Sequence, residues 1–138
     1  MTITPDMSPL LEMLRDAPEI RFESGQVVIR EGGEMHDLYV LAEGEIELIK
    51  GNTPVCKISK AGSTFGEMSA LLGVKPTASV IAASPCVFKV ISSPAEFLSS
   101  HAPATLEIAK LLAHRVRWLT ASYAAEIDDG ESVFWRHR

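Results

Sequence analysis

The central part of the chain consists of short apolar runs that glycines separate at intervals of about ten residues. β-Branched residues fill these runs, which is typical of an antiparallel sandwich or barrel. In Glu45–Ile49 polar and apolar residues alternate, so we expect Ile46 and Leu48 to enter the core. Gly51 and Asn52 then supply a hairpin turn. The predicted strands are Val27–Arg30, Leu38–Ala42, Glu45–Ile49, Val55–Ile58, Ala78–Ala82 and Val87–Ile91.

A short helix is predicted before Arg21. Ser8 can cap this helix, and Pro9 suits its first turn because proline has no amide hydrogen to satisfy there. We expect the helix to lie outside the main body of the protein. Its apolar face consists of Leu10, Leu11 and Leu14.

Two further helices are predicted after Ile91. The segment Ser93–Glu96 has the pattern of a capping box with proline at the first helical position, which predicts a short helix through Leu98. A longer helix should follow Pro103 and run to about Glu126. The resulting organisation is one domain, 1–126, with a barrel at about 19–92, helices at about 93–126 and a frayed tail at 127–138.

The longer helix carries a continuous apolar seam whose members are three and four residues apart. This spacing fits two arrangements. The seam can pair with a second copy of the chain across a dimer axis, or it can pack against the barrel of its own domain. The seam consists of Ala109, Leu112, Val116, Leu119 and Tyr123.

Composition narrows the classes of function. The chain has 138 residues and a formal net charge of -5, which opposes a general attraction to nucleic acids or to anionic membranes. It has no apolar run near the roughly 20 residues of a spanning helix and no signal-peptide pattern, so a cytoplasmic location is expected. Cys56 and Cys86 lie in apolar stretches and are interpreted as reduced core residues.

Catalytic and DNA-binding patterns are not found in the sequence. The four histidines, of which His36 alone lies among the predicted strands, form no His-x-His pair, and no Gly-x-Ser-x-Gly elbow is present. Ser79 is better explained as a strand residue. Too few residues follow the long helix for a recognition helix. We therefore expect no enzyme activity, no metal, no cofactor and no binding to nucleic acid.

One stretch departs from ordinary barrel sequence, and from Phe65 onward it reads FGEMSALLGVKPTASV. Its glycine precedes an acidic residue and four good helix formers, so the amides of Gly66, Met68 and Ser69 should point out of a helix N-terminus. Such a terminus favours anions and can hold a phosphate. Glu67 at the same place either accepts hydrogen bonds from sugar hydroxyls or complements the dipole of its own helix.

Taken with the strands and helices around it, this stretch resembles the cyclic nucleotide-binding domain family. The resemblance covers about residues 10–125. It rests on the glycine-spaced segment FESGQVVIREGGEMHDLYVLAEGEIEL, the phosphate-binding cassette FGEMSALL, the following TASV and the two C-terminal helices. Relatives are the regulatory domains of the catabolite activator protein, of cyclic-nucleotide-dependent kinases and of gated channels. The resemblance implies a mainly β fold with flanking helices, an antiparallel jelly-roll β-barrel, that binds cAMP or cGMP without catalysis.

The resemblance also assigns roles within the cassette. Glu67 is expected to accept from the ribose 2′-hydroxyl. The backbone of Gly66, Met68 and Ser69 is expected to receive the cyclic phosphate, and Phe65, which opens the cassette, is expected to be part of the ligand site. Thr77, at the head of TASV, is expected to touch phosphate or base.

The base is expected to lie under the final helix. Arg115, Arg117 and Thr120 can all reach that region, and the spacing does not choose among them. In the family this helix often pairs across a dimer axis. A homodimer or a separate effector protein is therefore the expected partner.

One position departs from the family pattern. Nine residues after Glu67 the family has an arginine that pairs with the phosphate, whereas this chain has Pro76. Losing a two-pronged charged hydrogen bond costs roughly two to four decades in affinity. Lys75 is adjacent and is either a replacement or a solvated surface lysine. The leading hypothesis is a cyclic-nucleotide sensor, and the alternative is a scaffold of the same fold that has lost its ligand.

Overall fold

The computed structural model describes residues 8–128, with side chains as far as residue 124. Two four-stranded antiparallel sheets form a jelly roll, with strand orders β1-β8-β3-β6 and β2-β7-β4-β5. The strands are β1 Glu19–Phe22, β2 Val27–Ile29, β3 Leu38–Glu43, β4 Ile46–Lys50, β5 Thr53–Ile58, β6 Thr64–Phe65, β7 Ser79–Ala82 and β8 Cys86–Ile91. The helices are α1 Pro9–Met13, α2 Glu67–Leu72, α3 Pro94–Ser100 and α4 Ala102–Asp128.

All six predicted strands are confirmed, with small differences at their ends. The hairpin is also confirmed, because Lys50 pairs with Thr53 across a two-residue turn in which Gly51 has a φ of 61°. Two strands were not predicted, β1 and β6. β6 has only two residues and is defined by its pairing with β3.

Strand β3 is buried on both faces. Leu41 packs inside the barrel, whereas Leu38 and Val40 pack on the other side against the helices. A strand covered on both faces is expected to be a nearly continuous apolar run, and LYVLA is such a run. The buried residues of the barrel interior are Val28, Ile29, Leu41, Ile46, Phe65, Val80, Ala82, Cys86 and Phe88.

Helix α1 begins as predicted. The Ser8 hydroxyl accepts from the amides of Leu10 and Leu11, at 3.1 and 3.3 Å. The expectation that this helix lies outside the main body is wrong. Leu10 and Leu14 are buried against α4, β3 and the end of β8, so α1 belongs to the second hydrophobic core.

The two C-terminal helices are confirmed, with differences in detail. Ser93 is the N-cap of α3, but its side chain makes no capping hydrogen bond, so the predicted capping box is not formed. Helix α4 starts one residue before Pro103 and continues to Asp128, past the predicted end. The rest of the predicted tail, 129–138, lies outside the described residues.

The apolar seam does not pack α4 against its own barrel. The inward face carries Ala104, Ile108 and, partly buried, Leu111. At about 100° per residue, the centre of the predicted seam lies roughly 90° around the helix from this face. Leu112 is half-buried, whereas the rest of the seam is exposed, namely Ala109, Val116, Leu119 and Tyr123.

Beyond Arg115, α4 projects from the domain. Every residue from 116 to 124 is exposed, including Trp118 at 61% and Leu119 at 58%. Helix α4 is long, but within residues 8–128 no helix is both long and apolar enough to cross a membrane.

Both cysteines are free thiols. Cys86 is buried, and burial raises the pKa of its thiol. Cys56 is only half-buried on β5, so it is less enclosed than the core position that the sequence predicted.

The barrel interior centres on Phe88, which predicts a large cost for truncating it. The rings of Phe22 and Tyr39 both lie 5.7 Å from Phe88, and the ring of Phe65 lies 6.2 Å away. We expect Phe88→Ala to lower the free energy of unfolding by about 3–5 kcal/mol in urea denaturation. The control Val55→Ala, at an exposed position on β5, should change it by less than about 0.5 kcal/mol. Equal effects of the two variants would contradict this description of the core.

Candidate functional site

The turn before α2 requires glycine. Gly66 has a φ of 92° and is the N-cap of α2. A Cβ atom there would lie 2.8 Å from the carbonyl oxygen of Asp37 and 3.0 Å from Cε of Met35. Both the conformation and the close packing exclude larger residues, so the glycine sets the direction in which α2 starts.

The first amides of α2 are not consumed by the protein. The first hydrogen bond across this turn runs from the amide of Ala70 to the carbonyl of Gly66, at 2.9 Å. Within residues 8–128, the amides of Glu67, Met68 and Ser69 have no acceptor, and no side chain caps them. Met68 and Ser69 supply two of the three amides that the sequence predicted here, whereas the third prediction was the amide of Gly66 and not that of Glu67. The first turn of a helix leaves its N–H groups without partners.

The Glu67 carboxylate is held on one side by two donors. Its Oε2 accepts from the Thr64 hydroxyl at 2.7 Å and from Nη1 of Arg115 at 3.0 Å. The other nitrogen of the guanidinium, Nη2, donates to the Thr64 carbonyl at 2.5 Å. The side chain of Glu67 is 15% exposed. Among the described residues nothing donates to Oε1, so one carboxylate oxygen remains available as an acceptor.

Arg115 joins this carboxylate to the barrel core. Its guanidinium carbon lies 5.7 Å from the ring centre of Phe65, within the range of a cation–π interaction. The Phe65 ring is itself buried against Phe88. The side chain of Phe65, predicted to be part of the ligand site, therefore lies in the core and supports Arg115 from below.

A second wall of the site is formed by the segment before β7. The hydroxyl of Thr77 lies 4.0 Å from Sδ of Met68, so this predicted contact residue does adjoin the cassette. Its carbonyl accepts from Nζ of Lys50 at 2.7 Å. Pro76 is half-buried, and its carbonyl accepts from the amide of Gly32 at 2.8 Å. Lys75 is exposed.

Of the three residues on the final helix that were predicted to reach the ligand, only one lies at the cassette. Arg115 is brought to the cassette, and it meets Glu67 directly. Arg117 and Thr120 are exposed and make no contact with the cassette in the part of the chain that the structure describes. Their positions on the helix are roughly 140–160° away from that of Arg115, which explains why they do not reach the site.

Sequence reasoning missed three residues around the site. Thr64 could have been identified, because Thr64 to Glu67 has the spacing of a capping box, although the bond joins the two side chains instead. Glu31 and Lys50 gave no comparable signal. Glu31 lies in the loop after β2 and Lys50 at the end of β4, and the two meet only in the folded structure, at 2.9 Å.

Within the described residues the surface has two grooves, and neither is lined by the residues whose amides are free in the cassette. One of about 430 Å³ lies between α1, β8 and α3, and includes Leu14, Ile91 and Phe97. The other, of about 400 Å³, is lined by residues of α3 and α4 and by Leu71 of the cassette helix.

Ser69 buries a hydroxyl without a hydrogen-bond partner among the described residues. The same part of the chain holds no group of three or more His, Cys, Asp or Glu suited to a metal ion.

The ion pair between α2 and α4 should contribute measurably to stability. In a double-mutant cycle of Glu67→Gln and Arg115→Met, followed by urea unfolding, we expect a coupling of about 1 kcal/mol, since the pair is partly shielded from water. The exposed pair Glu107 and Lys110, 3.4 Å apart, serves as the control and should couple by about 0.3 kcal/mol. A coupling at Glu67 no larger than that of the control would contradict the description of this contact.

Comparisons with known proteins bear on the family and the fold of this domain. The cyclic nucleotide-binding domain profile matches residues 19–98, more than half of the chain. The chain is 33% identical over 75 residues to the cAMP-dependent protein kinase regulatory subunit of Yarrowia lipolytica, covering 54% of this chain and 20% of that protein. It is 36% identical over 71 residues to the cGMP-dependent protein kinase egl-4 of Caenorhabditis briggsae, covering 51% of this chain and 9% of that protein.

A solved structure shows the same fold. The catabolite activator protein of Thermus thermophilus aligns with a TM-score of 0.70 at 20% identity, covering 86% of this chain and 60% of that chain. The match to the regulatory subunit and to the kinase spans a fifth or less of their length, so what is shared is one domain. The profile match, the jelly roll and the cassette together establish that this chain belongs to the cyclic nucleotide-binding domain family.

Proposed function

We propose that this domain is a non-catalytic regulatory module that binds a cyclic nucleotide, cAMP or cGMP, at the cassette. The observation that carries the proposal is the arrangement at the start of α2. Three amides without acceptors lie beside Glu67, whose Oε2 is fixed by Thr64 and Arg115 while Oε1 remains open. Amide donors suit a phosphate, and an open carboxylate oxygen suits a sugar hydroxyl.

Arg115 also offsets the repulsion between the Glu67 carboxylate and a bound phosphate. A carboxylate beside a phosphate site repels the ligand, unless a cation offsets its charge. The guanidinium on Glu67 provides that cation at 3.0 Å. The carboxylate can then act as a hydrogen-bond acceptor for ribose, while the dipole of α2 still favours the phosphate.

The contact between Arg115 and Glu67 would also link ligand binding to the position of α4. Arg115 belongs to α4, so any change in the position or bonding of Glu67 acts directly on the final helix. A ligand that draws the cassette inward would favour one orientation of α4 over another. The reoriented helix would then alter its contact with an effector protein or a second copy of the chain.

One observation favours a second candidate function, a scaffold of this fold without a nucleotide. Pro76 offers neither a charge nor a donor at the position where the family arginine is expected. The grooves of about 430 and 400 Å³ lie away from Glu67. On this alternative the Glu67–Arg115 pair would be structural, and it would hold α4 on the barrel.

Titration calorimetry with cAMP and cGMP separates the two functions. We expect saturable heat with a Kd below about 100 μM for at least one of them. Glu67→Ala should weaken binding at least about tenfold, because the ribose loses its acceptor. Glu34→Ala, which removes the same charge from an exposed loop position, should leave the affinity unchanged. No heat from the unmodified protein would favour the scaffold.

The projecting part of α4 is suited to pair with a second copy of the chain. Leu112, Val116, Leu119 and Tyr123 follow the alternating four- and three-residue spacing of a two-helix seam. Val116 and Leu119 are about 60% exposed, at 62% and 58%. Pairing would cover this apolar surface, which otherwise lies in water.

Light scattering tests this pairing. We expect the mass of a dimer at tens of micromolar, and of a monomer for Leu119→Glu. Thr120→Glu introduces the same charge beside the seam, so that variant should remain dimeric. A monomeric mass for the unmodified protein at this concentration would exclude the seam as an interface.

A further inference from the structure

We propose that Lys50 provides the positive charge for the cyclic phosphate that Pro76 does not provide. This inference rests on the proposed binding of a cyclic nucleotide and adds a residue that recognises the phosphate. Lys50 is the last residue of β4, far from the cassette in sequence.

The position of Lys50 follows from two contacts. Its ammonium donates to the carbonyl of Thr77 at 2.7 Å. The hydroxyl of the same threonine lies 4.0 Å from Sδ of Met68, in the first turn of α2. The ammonium is therefore held by the residue that adjoins the side chain of Met68.

The ammonium has capacity for a ligand. A lysine ammonium has three donors, and the structure uses two of them, one on Thr77 and one on Glu31. The side chain of Lys50 is 61% exposed, so its flexible stem can reorient toward an anion without disturbing the core.

Glu31 keeps this cation in place. Its Oε2 accepts from Lys50 at 2.9 Å, and its Oε1 accepts from the amide of Gly51 at 2.9 Å. The hydrogen bond from Lys50 and then that from Gly51 lower the pKa of Glu31, so the carboxylate is ionised at neutral pH. A phosphate must therefore compete with Glu31 for the ammonium, which makes the effect of Glu31 on affinity informative.

Two other candidate cations, Arg115 and Lys75, are less suited to this role. Arg115 is engaged by Glu67 and by the Thr64 carbonyl. Lys75 is exposed and makes no polar contact within residues 8–128. Lys50 is thus the cation that the fold anchors next to Thr77.

The test is calorimetry with cAMP and cGMP on the full 138-residue chain. Lys50→Met should weaken binding about ten- to a hundredfold, the range expected when a charged hydrogen bond is lost. Lys57→Met is the matched control, since it removes the same charge from an exposed position on the neighbouring strand β5. It should change affinity less than about twofold.

Glu31→Gln separates a charge effect from a structural one. If Lys50 acts on the phosphate, this variant should bind about two- to fivefold more tightly, because the competing carboxylate charge is gone while the amide oxygen can still accept from Gly51. If the pair only holds the Thr77 segment in place, Glu31→Gln should weaken binding as Lys50→Met does. Adding Pro76→Arg to Lys50→Met should restore the affinity, because the arginine replaces the lost charge.

The affinities of the variants decide between the inference and its alternatives. Weaker binding of Lys50→Met together with tighter binding of Glu31→Gln supports the inference. Equal affinities of Lys50→Met and Lys57→Met, or weakening by Glu31→Gln, overturn it while the proposed function stands. No binding by the unmodified chain overturns the proposed function and this inference with it.

Discussion

The contact between Glu67 and Arg115 is the interaction on which the site depends. It joins the phosphate cassette to the final helix through one carboxylate oxygen, and the second guanidinium nitrogen extends the contact to the backbone of Thr64. The cation also rests over Phe65, which belongs to the barrel interior. Barrel, cassette and helix thus all meet at Arg115, in addition to the packing of α4 on the second hydrophobic core.

The fold was largely predictable because its strands are short and glycines mark their ends. The register of these strands follows from which side chains are apolar, and this pattern is local. The position of α1 was not predictable, since a short apolar face does not reveal what covers it. For the same reason, the face of α4 that packs on the domain was not predictable. Two apolar stripes overlap at Leu112, and the sequence alone does not tell which one faces inward.

The site was predictable in its backbone and less so in its side chains. Gly66 and Glu67 stand in one continuous motif, so their neighbourhood could be derived from local geometry. Arg115 was one of three candidates, because helix periodicity gives relative angles and does not give the absolute rotation of α4. Lys50 and Glu31 could not be found, since nothing in the sequence shows that the end of β4 meets both the loop after β2 and the backbone of Thr77.

The projecting end of α4 acts as a lever arm. Thirteen residues follow Arg115 to the end of the helix at Asp128, which at 1.5 Å per residue is about 20 Å of rigid rod. A tilt of about 10° around the Arg115 contact would displace the tip by about 3.5 Å, as the same geometry requires. Any tilt of α4 about this contact would therefore produce its largest displacement at the far end of the helix.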